Sequence, residues 1–127
     1  RLASFSDAPL VPVPLHPEKL RQRGYNQCLR IAEGFSSFSG HVIREDLIER
    51  VVYTGTQTAL DAAERKQNVR GAFRFIGETS LAGKPVILLD DVMTTGSTLE
   101  ECAGTLKKAG AGNIAACVIA TPGIRDD

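Results

Sequence analysis

Cysteine is scarce in this chain: Cys28, Cys102 and Cys117 are the only three among 127 residues. No two of them stand at the short spacing of a zinc-ligand pair, and an odd number closes no disulfide framework. We therefore expect reduced thiols and a cytoplasmic setting. Long apolar runs are missing as well. The longest, Ile114 to Ala120, falls far short of the ~20 residues of a membrane-spanning helix, so no membrane partner is expected. An excess of one charge is also absent, since fifteen Lys plus Arg meet fifteen Asp plus Glu. Proteins that coat nucleic acid are usually clearly basic, and this balance does not support such a partner. Internal repeats, low-complexity tracts and linker-like stretches are not found. We expect one domain over residues 1–127, with a ragged lead-in over 1–9. The sequence opens at Arg1 without an initiator Met or a signal peptide, and a trimmed piece of a longer protein is expected.

What remains is an ordinary globular composition, 43% hydrophobic and 24% charged, in a chain long enough for one core. Leu10 to Leu15 is apolar and β-branched but broken by Pro12 and Pro14, which predicts a short strand. His16 to Gly24 reads as a basic loop carrying Lys19, Arg21 and Arg23. Tyr25, Cys28, Leu29, Ala32 and Phe35 then recur at helical spacing, and Ser36 to Gly40 is expected to break that helix. His41 to Tyr53 suggests one or two strands, with His41 on the surface, and Ala72 to Ile76 another strand. Between them, Thr54 to Arg70 is polar and too long for a simple connection, as functional lids often are; a short helix over Leu60 to Gln67 is the alternative.

The last third is the most legible. Pro85 to Leu89 is an unalternating apolar run, the signature of a parallel strand buried on both faces, and it ends in Asp90 and Asp91. A loop over Val92 to Thr98 leads into a helix marked by Leu99, Cys102, Ala103, Leu106 and Ala109. Ser97 with Glu100, or Thr98 with Glu101, offers a capping box; Lys107 and Lys108 suit the negative end of the helix, and Gly110 suits its cap. Asn113 to Thr121 is a second buried strand, which completes a βαβ unit.

In such units ligands bind beyond the carboxyl ends of the strands, where a helix N-terminus offers free N–H groups to phosphate. Gly96 permits close backbone approach, and Thr94, Thr95, Ser97 and Thr98 add hydroxyl donors. Two carboxylates beside a phosphate cradle would repel the anion itself. They suit neutral hydroxyls, a metal or a developing cation, and a sugar phosphate supplies the first of these. Any one of these residues is equally at home as a strand end, a turn or an N-cap. Their conjunction on one βαβ unit carries the argument. Competing motifs fail: there is no Walker A and no G-x-S-x-G, and the G-x-G-x-x-A match at Gly110 to Ala115 follows a helix, so it reads as a cap and turn.

Val86 to Thr98, VILLDDVMTTGST, resembles the thirteen-residue phosphoribosyl pyrophosphate (PRPP) motif of type I phosphoribosyltransferases. PVPLHPEKLRQRGYNQ (Pro12 to Gln27) and TGTQTALDAAERKQNVRGAF (Thr54 to Phe73) are similar to the ComF family, often described as amidophosphoribosyltransferase-like and linked to competence and DNA uptake. That family usually carries an N-terminal zinc-binding, Cys-rich segment, which has no counterpart in these residues. The resemblance implies an α/β fold with a mostly parallel central sheet of about five strands and helices on both faces. It also implies that Asp90 and Asp91 bind the ribose hydroxyls and stabilise an oxocarbenium-like transition state. Thr94, Thr95, Gly96, Ser97 and Thr98 would hold the 5′-phosphate. Lys19, Arg21 and Arg23 would meet the pyrophosphate, with His16 as a general base, a further pyrophosphate donor or, more simply, a structural histidine. Arg65, Lys66, Asn68 and Arg70 would belong to a closing flexible loop, although Arg65 also stands one helical turn from Asp61. Mg²⁺ would arrive chelated by PRPP, with Asp90 and Asp91 as its nearest carboxylates.

The activity implied is a pentosyltransferase reaction that moves phosphoribosyl from PRPP to an unidentified nitrogen acceptor and releases pyrophosphate. The alternative is a PRPP-binding regulatory or accessory module in competence, without efficient turnover. A DNA-contacting adaptor is a third reading, against which the charge balance weighs. A homodimer is carried as an expectation because dimers are common in the superfamily.

Overall fold

The computed structural model describes residues 5–51, 71–91 and 96–119, with the side chains at 91, 96, 97 and 119 outside that description. The expected lid, 54–70, and most of the 92–98 loop lie outside the described residues. Five strands and three helices occupy the remainder: β1 (Leu10–Pro12), α1 (Pro17–Arg23), α2 (Gln27–Ser39), β2 (Ile48–Arg50), β3 (Phe73–Phe75), β4 (Val86–Asp91), α3 (Gly96–Lys108) and β5 (Ile114–Ile119).

β4 is the centre of a parallel sheet, ordered β1-β4-β5 among the described residues. Leu10 pairs with Ile87 on one side, and Val86 pairs with Ile114 on the other. Side chains alternate across a strand. Val86 and Leu88 therefore join one buried cluster with Val11, Cys102 and Leu106, while Ile87 and Leu89 join another with Leu10 and Ala32. α3 covers the first face and α2 the second, as expected for an α/β fold. The other two strands, β2 and β3, form a separate antiparallel ribbon. Its Phe73 is buried in the α3-side cluster, while Arg74 faces out and pairs with the directly opposed Glu49.

Pro12 is tolerated in β1 for a reason of direction. Val13 donates its N–H to Leu89 at 3.0 Å, whereas Leu10 donates the other way, to Val42 at 2.7 Å. By alternation the missing N–H of Pro12 falls on the side away from β4, where the sheet needs no donor. Ile43 makes only an isolated parallel bridge to Leu10.

Four sequence expectations change. His16 to Gly24 is not a loop but holds α1. The His16 ring accepts the Glu18 N–H at 3.0 Å, Pro17 opens the helix, and Gly24 closes it at φ +85°. Proline at the first helical position and a left-handed glycine at the end are strong boundary signals, and the basic charges masked them. α2 does not break at Ser36 but runs to Ser39. Ser37 back-bonds to the Gly34 carbonyl at 3.1 Å, Ser36 donates to the His41 carbonyl at 2.5 Å, and Gly40 ends the helix at φ +82°. His41 is not simply on the surface: its ring reaches the Phe5 carbonyl at 3.0 Å and Ser39 Oγ at 2.8 Å. Ser97 and Thr98 are not caps, since α3 already begins at Gly96. The C-terminal end of α3 is as expected, with Lys107 and Lys108 in its last turn and Gly110 at φ +98°.

Candidate phosphoribosyl site at the carboxyl end of the sheet

Parallel pairing puts the carboxyl ends of β1, β4 and β5 on one edge of the sheet. α1 and the start of α2 follow β1 on that edge, and α3 follows β4. Asn26 organises the corner. Its Oδ1 accepts the Cys28 N–H at 2.9 Å, capping α2, while its Nδ2 donates to the Val13 carbonyl at 3.2 Å. One side chain thus fastens the N-terminus of α2 to the end of β1, and Cys28 is delivered to the end of β4.

Asp90 lies there, only 1% exposed. By strand alternation it shares the face of Val86 and Leu88, the face that α3 covers. Cys28 Sγ donates to Asp90 Oδ1 at 3.4 Å. Cys102, fully buried on α3, is close enough to feel the carboxylate. Burial first, and then the Asp90 charge, push the Cys102 thiol well above the ordinary thiol range, against an opposing pull from Arg50. Arg50, at the end of β2, stacks over the Phe73 ring with its guanidinium carbon 5.2 Å from the centroid. Its burial lowers its pKa, while Cys102 and Asp90 pull it back up. A buried carboxylate, two buried thiols and a half-buried guanidinium therefore meet where four elements converge.

The remaining expected site residues are distributed around this point. Asp91 is the last residue of β4, and Gly96 and Ser97 open α3. Thr98 is 6% exposed, one turn before Cys102, on the packed side of the helix. Lys19 is half-buried on α1, and Arg21 and Arg23 are exposed. Arg21 is paired with Glu18 one turn earlier, an exposed pair of small value that a ligand can compete with. His16 serves as a helix cap. Thr94, Thr95, Arg65, Lys66, Asn68 and Arg70 lie outside the described residues. The ends of the segment that holds the last four are nevertheless held together. Val51 donates to the Ala72 carbonyl at 2.7 Å, and the Gly71 N–H donates to Glu101 of α3 at 3.0 Å.

Sequence reading missed Asn26, Cys28 as a polar partner, and Arg50. Asn26 had a signal, since asparagine directly before a helical pattern is a favoured N-cap. Arg50 had none, because nothing local connects it to β4.

A family model described as the phosphoribosyl transferase domain matches residues 38–126, which include β4, α3 and β5. The chain belongs to this family. Within it, the similarity to ComF-type proteins read from the sequence is borne out. The chain is 36% identical over 102 residues to competence protein F of Haemophilus influenzae, covering 80% of this chain and 44% of that protein. It is 36% identical over 105 residues to the DNA utilization protein YhgH of Salmonella typhi, covering 83% and 45%. It is 26% identical over 114 residues to competence protein ComFC of Streptococcus pneumoniae, covering 89% and 48%. The chain thus spans less than half the length of these relatives. The solved structure of the allosteric regulatory enzyme of purine biosynthesis superposes with a TM-score of 0.52 at 21% identity, covering 87% of this chain and 21% of that one. That likeness concerns the fold, and it agrees with the phosphoribosyl transferase architecture. Among the described residues, no helix of this phosphoribosyl transferase domain is long and apolar enough to cross a membrane.

Proposed function

We propose that this domain binds Mg²⁺–PRPP at the carboxyl end of β4 and transfers its phosphoribosyl group to a nitrogen nucleophile. One observation carries the reading: a buried carboxylate, Asp90, lies at the next-to-last position of the central strand of a parallel sheet, and only residues 92–95 separate that strand from the N-terminus of a thirteen-residue helix. The helix start suits a phosphate dianion. Asp91 meets the ribose hydroxyls as a hydrogen-bond acceptor. Asp90, being buried, acts chiefly through its charge, which gains strength where water is excluded.

In the reaction the bond from the anomeric carbon to the pyrophosphate oxygen breaks, and its electron pair leaves with pyrophosphate. The ribosyl carbon becomes cationic and bonds to the nitrogen, which then loses a proton. The two carboxylates stabilise the cationic stage, and Lys19, Arg21 and Arg23 on α1 balance charge on the leaving group. The donor set suits Mg²⁺, which favours one or two carboxylates with the remaining ligands from phosphate and water. The ion would neutralise the pyrophosphate that accompanies it. The relatives' names point to competence and DNA utilization as the process, and three scattered cysteines suit a reducing compartment such as the cytoplasm.

Calorimetric titration of PRPP, with and without Mg²⁺, tests the reading. Saturable, Mg²⁺-dependent binding is expected, weakened at least about tenfold, or about 1.4 kcal/mol, in the Asp90→Asn/Asp91→Asn double variant. Absence of binding to the folded chain would sink the proposal. Pyrophosphate release with ammonia, glutamine or a nucleobase would then identify the acceptor. Binding without release for any acceptor would assign an accessory module instead.

A further inference from the structure

We propose that the outer edge of β3 is a docking slot for an extended peptide. A partner segment of the pattern apolar–acidic–apolar pairs there as a third strand of the ribbon, with its acidic side chain beside Arg74. The slot lies along the last turns of α3, whereas the PRPP reading concerns the start of that helix, so the two are independent.

The hydrogen bonds of the ribbon decide which backbone groups face outward. Val51 donates its N–H to the Ala72 carbonyl and Ile76 donates to the Leu47 carbonyl, each at 2.7 Å. Arg74 stands directly opposite Glu49. Ala72, Arg74 and Ile76 therefore turn their backbone groups toward β2, and alternation turns those of Phe73 and Phe75 the other way. Two N–H and two C=O groups line the outer edge of β3, and among the described residues no strand pairs with it. Such a row is a template for a further strand.

A groove of about 330 Å³ follows this edge, lined by Phe73, Arg74 and Phe75 of β3 and by Thr105, Lys108 and Ala109 of α3. The Arg74 side chain faces out, away from the two phenylalanines, so its place in the same lining marks that wall as the edge of the strand and not its face. The volume is that of a small ligand site. The helix bounds the opposite side, so the groove takes one strand and stops further growth of the sheet. That distinguishes a slot from an edge open to indefinite aggregation.

The geometry also sets the chemistry of the occupant. Residues directly opposite one another across paired strands share a face. Those opposite Phe73 and Phe75 would point into the groove, where Phe75 and Ala109 are half-buried and the Thr105 hydroxyl is already engaged by the Glu101 carbonyl at 2.9 Å. Apolar side chains suit these two positions. The residue between them would point outward beside Arg74, whose neighbour on the other side is Glu49. The Arg74 side chain is 66% exposed, and its guanidinium has donors enough for a carboxylate on each side. Lys108 at the rim and Lys107 beside it, both exposed, add positive charge. A second copy of the chain fits less well. Antiparallel pairing of β3 with itself about Arg74 would set two arginines directly opposite, and like charges there are destabilising. The main-chain bonds would supply affinity and the flanking side chains specificity, as in other strand-addition sites.

The test titrates the ¹⁵N-labelled 127-residue chain with two acetylated and amidated pentapeptides, Thr-Val-Glu-Val-Thr and Thr-Val-Lys-Val-Thr, followed by amide NMR. The acidic peptide is expected to bind saturably and to move the Phe73 and Phe75 amide protons downfield, because each gains a carbonyl partner. The lysine peptide is expected to bind about fivefold more weakly. A Glu49→Lys/Arg74→Glu double variant keeps an ion pair across the ribbon, and in it the preference should reverse. Binding that leaves the Phe73 and Phe75 amides unmoved, equal affinity for the two peptides, or no binding by the folded chain up to about 5 mM peptide overturns the proposal. Concentration-dependent shifts of the same amides without peptide, together with a dimer in sedimentation, also overturn it, since they assign the edge to a second copy.

Discussion

Raising the pH should destabilise this protein through Cys102, and the size of the effect can be worked from its surroundings. The Cys102 side chain is fully buried on α3, and burial, reinforced by the Asp90 charge, raises its pKa well above that of a free thiol. An acid whose pKa is raised on folding binds its proton more tightly in the native state. The associated stability is fully present below the unfolded thiol pKa of about 8.5, and it is lost as pH rises above that value toward the folded one. In that window each pH unit costs about 1.4 kcal/mol. At pH ~10.5, two units above the unfolded value, the loss reaches about 3 kcal/mol, a large share of a typical 5–15 kcal/mol stability. Lysines and tyrosines also titrate there, so the effect must be read as a difference. Urea unfolding of the parent and of Cys102→Ala, followed from pH 8 to 10.5, isolates it. The variant carries a roughly constant penalty for its small cavity, and its curve should fall less steeply by about 3 kcal/mol across the range. Parallel curves would refute the reasoning, because they would mean that the thiol ionises as easily in the folded protein as in the unfolded chain.

Other consequences follow from packing. Leu106 is fully buried between α3 and the sheet, and Leu106→Ala should cost about 3 kcal/mol by urea unfolding. Two glycines should respond in opposite directions. A Cβ on Gly112 would collide with the Gly83 carbonyl oxygen, in a turn where Gly112 N–H already bonds to Lys84 at 2.8 Å. Gly112→Ala should therefore lose about 2 kcal/mol. A Cβ on Gly104, inside α3, meets nothing within 4 Å, and Gly104→Ala should raise stability by about 0.5–1 kcal/mol.

The G-x-G-x-x-A match shows how context decides between readings of a motif. Gly110 to Ala115 is the turn from α3 into β5, and its glycines answer to a left-handed φ at Gly110 and a backbone crossing at Gly112. The order of elements around it was enough to reject a nucleotide fingerprint. α1 shows the opposite case. Its boundary signals, Pro17 and Gly24, were present in the sequence but were masked by the basic run of Lys19, Arg21 and Arg23. The ribbon was legible only as two separate strands. Its pairing, Ile48 opposite Phe75 and Arg50 opposite Phe73, spans a long stretch of chain whose local pattern carries no record of the partner.

The sequence by itself determined the βαβ unit and the place of Asp90 and Asp91 at the carboxyl end of its first strand. Strand and helix periods, caps and an unalternating apolar run are local properties, written within a few residues of each other. The phosphoribosyl motif is local for the same reason: a strand end and a helix start joined by one loop form a site that contiguous residues can encode. Tertiary structure alone decided the environment of that site. It buried Asp90 beneath the surface, set Cys28 against it from 62 residues away, and brought Arg50 and Cys102 into its field. These contacts depend on how the elements pack against one another, and no local pattern states which side chains will share a buried corner once a parallel sheet has closed over them.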